Sequence, residues 1–161
     1  MPADTVHDTK PSRRPRPETD GDFSDEQLPP VTLPLAFQAF HHLHYERYLE
    51  YARAHLPETK AIRAVREAFG CLATHWPYIV SRLNPTSCAW SWFTTRIRIG
   101  SCPVVTAVCP SQYDAVLLHY VLGHPIKEAA ALMGEHPSRV RYLTSRYQGP
   151  SRPRPTGLKN G

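Results

Sequence analysis

Residues 124–147 read "HPIKEAAALMGEHPSRVRYLTSRY", and the fold turns on this stretch. Ile126, Ala129, Ala130 and Met133 recur at helical spacing, with Leu132 alongside. Gly134 stops that helix, because glycine takes the left-handed C-terminal cap at little cost. Pro137 then opens a second helix, at a position where its missing N–H leaves nothing unpaired. Val140, Leu143 and Tyr147 form one apolar stripe. Arg139, Tyr142 and Arg146 lie about 100° round from it, and Arg141 and Ser145 flank it on the other side. The small Ala130 lets the two helices cross closely. A short helix, a tight glycine turn and a second helix with outward arginines is the pattern of a helix-turn-helix, whose second helix enters the DNA major groove. A plain helical hairpin with a solvated basic face is the alternative reading of the same residues.

Working outward, "SQYD" at residues 111–114 reads as a capping box at a helix start. That helix carries Ala115, Leu118 and Val121 and ends at Gly123, so residues 108–148 form a three-helix unit. Upstream, residues 35–56 place Phe37, Phe40, His44, Tyr48 and Tyr51 on one face. Residues 58–76 space Ile62, Val65, Phe69, Leu72 and Trp76 three or four apart. A third helix starts near Pro85 to Ser87 and sets Ala89, Phe93 and Ile97 in register, with Trp90 and Trp92 beside them. Residues 101–108, "SCPVVTAV", read as extended. The expected fold is all-α: two small helical modules at 33–99 and 108–148, joined by a short linker at 100–107. The flanks, 1–32 and 149–161, are expected to be a disordered N-terminal tail and a disordered basic tail, since proline-rich polar sequence cannot bury a core.

The 161-residue chain has a formal charge of +5 and a pI near 9.2, a balance that suits nucleic acid or an acidic partner. Residues 1–30 are net −3 and residues 149–161 net +3. The cysteines at 71, 88, 102 and 109 form no Cys-x-x-Cys pair and read as buried reduced thiols, and His41, His42 and His44 read as ordinary helix histidines rather than a metal site. No cofactor is implied. No apolar run is long enough to cross a membrane, and the polar, proline-rich start is not a signal peptide, so a cytoplasmic location is expected. No nucleophile–base pair, phosphate loop or paired carboxylates stand out, which argues against an enzyme.

Residues 108–146 resemble region 4 of bacterial sigma factors of the extracytoplasmic-function type, part of the sigma-70 family. Pro110, Gln112, Leu117, Leu118, Tyr120, Val121, Gly123, Glu128, Ala130, Gly134, Val140 and Arg141 carry the likeness. Residues 37–96 resemble region 2 of the same family, through "FQAFHHLHYERYLEYARAHL", "AIRAVREAFGCLATHW" and "AWSWFTTR". The resemblance implies a transcription initiation factor with RNA polymerase core and promoter DNA as partners. Arg139, Arg141, Tyr142, Ser145 and Arg146 would then face the −35 element. Asn84, Trp90, Trp92 and Arg96 would lie at the −10 element, where a flipped base is held by stacking. Arg63, Arg66 and Glu67 would meet polymerase. Arg63 and Arg66 stand where the family tends to have Asp and Gln, the third helix stops early at Gly100, and the linker spans only roughly 30 Å when extended. A helix-turn-helix regulator without polymerase docking, and a decoy for an anti-sigma protein, are the rival readings.

Overall fold

A computed structural model describes residues 32–149. The expected tails lie outside the described residues, apart from Thr32 and Gly149. Among the described residues the protein is all-α, with no strand. The helices are α1 (Leu35–His55), α2 (Glu58–Thr74), α3 (Trp76–Val80), α4 (Pro85–Arg98), α5 (Pro110–Val116), α6 (Ile126–Met133) and α7 (Pro137–Ser145). A π-helical turn, Leu117–Val121, extends α5.

Each of these helices starts at or beside a proline: Pro34, Pro57, Pro77, Pro85, Pro110, Pro125 and Pro137. Proline fits there because the first helical N–H groups have no intrahelical acceptor and its fixed φ already suits a helix. The chain is thus divided by its prolines into helices, and the short ones, α3 and α5 to α7, must be held by tertiary packing.

Packing begins with aromatic rings. Phe37, Tyr48, Phe69, Trp76, Trp90 and Phe93 are buried. The Tyr48 ring lies 4.4 Å from Phe93 and meets Trp90 edge-on at 5.2 Å, and Phe37 meets Trp76 edge-on at 5.2 Å. Such pairs add about 0.5–1.5 kcal/mol beyond their burial. His44 is buried beside Phe40 and Tyr48, as a packed core histidine.

The two expected modules share this core, and residues 33–149 lie within one compact unit. Asp114 on α5 is 4 % exposed and accepts hydrogen bonds from Tyr51 of α1 (2.7 Å), Trp90 of α4 (3.1 Å) and Arg98 of α4. This replaces the expected capping box. The N-cap of α5 is Cys109, which makes no side-chain cap bond, and Ser111 sits inside the helix. Gln112 supplies the local reach-back instead, its Oε1 accepting from the Val108 N–H at 2.9 Å.

The linker is no free tether. It folds back on α5, with the Val104 N–H donating to the Tyr113 hydroxyl at 3.0 Å. That hydroxyl also lies 2.8 Å from His55 Nε2 on α1. The cysteines are all free thiols; Cys71 and Cys88 are half-buried, whereas Cys102 and Cys109 are exposed rather than buried.

Gly70 sits inside α2 on its exposed side, and a methyl group there would meet nothing within 4 Å. Glycine in a helix interior costs about 0.5–1 kcal/mol relative to alanine, and no packing among the described residues offsets it.

Candidate nucleic-acid interface

The α6–α7 segment is built as its residues dictate. Gly134 has φ +64° and ends α6 with two reversed bonds: its own N–H donates to Ala131 O, and Glu135 N–H donates to Ala130 O at 2.9 Å. This is the Schellman arrangement, which satisfies the last carbonyls of a helix. The glycine is doubly required. A Cβ would lie 2.9 Å from Ser87 Cα and 2.8 Å from Asn84 Oδ1. Pro137 occupies the first turn of α7, and His136 Nδ1 caps it by accepting from the Ser138 N–H at 3.3 Å.

On α7, Val140, Leu143 and Thr144 are buried, while Ser138, Arg139, Arg141, Tyr142, Ser145 and Arg146 are exposed. At 100° per residue the exposed six span an arc of about 160°. Gln112 Nε2 donates to Leu143 O at 3.2 Å, tying α7 to α5. Two of the arginines are held in place. Arg146 lies over the Tyr142 ring at 5.2 Å, and Arg139 pairs with Glu135 at 3.2 Å. Arg141 has no ion pair among the described residues. The face therefore offers three cations, a phenol and two hydroxyls on a firmly packed helix.

The four −10 candidates do not form one face. Trp90 is 3 % exposed with its indole N–H on Asp114, so it belongs to the core. Trp92, about 160° away round α4, is half-buried with Arg96 over its ring at 5.0 Å. Asn84 is engaged twice: Oδ1 caps α4 by accepting from the Ser87 N–H at 3.0 Å, and Nδ2 donates to Gly134 O at 2.6 Å. Sequence reading set Asn84 at the −10 element and missed that it braces the α6–α7 turn. Two partners separated by 50 residues leave no local signal for such a bond.

Arg63, Arg66 and Glu67 are all exposed on α2, where Arg63 lies 3.7 Å from Glu67. Arg47 of α1 reaches Glu128 of α6 at 3.4 Å. Among the described residues no group of three His, Cys, Asp or Glu side chains converges to hold a metal ion, and no helix is long and apolar enough to cross a membrane. No family model, curated protein or solved structure matches the chain.

Proposed function

We propose that this protein is a non-enzymatic, cytoplasmic transcription factor that binds duplex DNA through α7, on a frame resembling sigma-factor regions 2 and 4. The observation that carries this reading is the division of α7. Its apolar residues are buried, while Arg139, Arg141, Tyr142, Ser145 and Arg146 all face outward. Guanidinium forks suit guanine O6 and N7 or phosphate oxygens, and an exposed helix of this width fits the major groove. Promoter DNA at a −35-type element is the proposed target, and RNA polymerase core the proposed protein partner. One observation weighs against −10 contacts by two of the candidates and leaves α7 as the DNA-binding element: Asn84 and Trp90 are committed to bonds inside the protein.

The test is a salt titration of duplex binding. Replacing Arg141 and Arg146 together by alanine should reduce the slope of log K against log salt by about two, near one unit per lost phosphate contact. Binding indistinguishable from the parent removes α7 from the interface. Copurification with core polymerase then separates an initiation factor from a free-standing regulator or an anti-sigma decoy.

A further inference from the structure

The chain between α4 and α5 is more apolar than a connection needs to be. Residues 103–108 read "PVVTAV", yet loops run over the surface, where such side chains meet water. Val104 is 40 % exposed and Val108 91 %. Val105 and Ala107, by contrast, pack against the core. Between this segment, the end of α4 and the start of α5 lies a cavity of about 450 Å³. Val105, Ala107, Val108, Pro110 and Tyr113 supply apolar wall, and Arg98 supplies a charge. That volume lies within the roughly 300–1,000 Å³ of small-ligand sites, and apolar walls around a few polar groups are their usual composition.

Arg98 is only partly engaged inside the protein. Its Nη1 meets Asp114 and the Tyr51 hydroxyl, while Nε and Nη2 have no acceptor among the described residues. The side chain keeps 23 % exposure. No acidic side chain lines the cavity, so Asp114 answers the guanidinium through Nη1 alone. The Tyr113 hydroxyl is already taken by the Val104 N–H and by His55. Two nitrogens of Arg98 are thus left to bind a ligand, and a carboxylate matches a guanidinium fork with two parallel bonds. With Asp114 already on the guanidinium, one further negative charge suits the site better than the near-double charge of a phosphate monoester.

We infer that this cavity binds a small amphipathic monocarboxylic acid, with its carboxylate on Nε and Nη2 of Arg98 and its apolar body against Val105, Ala107 and Tyr113. A bound acid holds the linker onto α4 and α5, and so stabilises the arrangement that joins the two ends of the fold. The site contains no residue of α7, and the inference stands whether or not α7 reads DNA.

The experiment titrates phenylacetate, phenylacetamide and phenethylamine into the isotope-labelled full chain and follows backbone amide shifts. The three probes share an aromatic body and differ in charge. Phenylacetate should shift the amides of residues 104–109 and Tyr113, with a dissociation constant of about 1 mM or below. It should bind at least about tenfold more tightly than the amide, and the amine should not bind. Arg98 is left unaltered, because it also braces Asp114. Val108 is altered instead, since this exposed wall residue can change the field at the cavity without disturbing the core. Val108→Glu should weaken phenylacetate at least about threefold, and Val108→Lys should tighten it. A purely structural linker would show neither response. Equal affinity for acid and amide, or no shift at about 10 mM acid, overturns the proposal. So do shifts confined to α2 or α7, where other exposed arginines stand, and a Val108 charge swap that leaves the affinity for the acid unchanged.

Discussion

Asp114 gathers three donors from two other helices into one buried carboxylate. Burial pushes its pKa above the ordinary aspartate value, and the charge of Arg98 and the donated bonds pull against that. Burial and the neighbouring carboxylate likewise raise the Tyr51 phenol, so it stays protonated and donates. Replacing Asp114 by alanine strands a phenol, an indole N–H and a partly buried guanidinium. Loss of one partner of a buried pair costs about 3–5 kcal/mol, and chemical denaturation of Asp114→Ala should show a loss of that order. Histidines set the acid limit. Burial lowers the pKa of His44 and of His55, the latter opposed by the bond to Tyr51 O. Each contributes stability while neutral. As pH falls below about 6.5, the unfolded chain takes up protons that the folded protein resists, and stability declines. Melting temperature should therefore drop between pH 7.5 and 5.5, and His44→Leu should drop less over the same interval. His44 was legible as a core residue, because its spacing from Phe40 and Tyr48 placed it on the apolar face. Asp114 was misread as a cap, because "SQYD" satisfies the local rule and the three donors that claim it lie 16 to 63 residues away.

Within the helices, α7 divides its labour by face, and substitutions should divide with it. Val140→Ala opens a cavity beside a fully buried position and should cost about 1.5–3 kcal/mol in stability, leaving the salt slope of DNA binding unchanged. Arg139→Ala, near the end of α7 that points into the groove in this motif, should cost about 1–3 kcal/mol on a specific site and relax base preference there. Glu135 adds a consequence that the sequence pattern did not carry. Because it holds Arg139 at 3.2 Å, Glu135→Gln both frees a cation and removes a negative charge from the proposed interface. It should tighten duplex binding, read in the same titration. The helix boundaries were the most legible part of this protein. Proline and glycine act locally, and Gly134 and Pro137 end and begin helices where the pattern requires. Less legible was the side that a tryptophan takes on α4, since Trp90 and Trp92 suit the core equally well and only packing distinguishes them.

At the scale of the whole molecule, the break in helical periodicity between residues 99 and 109 suggested two modules, whereas residues 33–149 lie within one compact unit. That union was not legible, since it rests on a shared core and on long-range bonds such as Asp114 to Tyr51, Asn84 to Gly134 and Arg47 to Glu128. It follows that residues 108–149 alone should not hold a fold. Cut free, the fragment loses every donor to Asp114 and the α4 surface on which the Gly134 turn rests. Circular dichroism of the fragment should show no cooperative melt, while residues 33–149 melt in a single transition. The same carboxylate bears on how the chain is made. Synthesis runs from the amino end, so Tyr51, Trp90 and Arg98 leave the ribosome before Asp114 does. Until residue 114 emerges, the Arg98 guanidinium and the donors of Tyr51 and Trp90 lack the carboxylate they bind in the finished protein. Asp114 can thus join its three donors only once α5 has emerged, and α6 and α7 follow it.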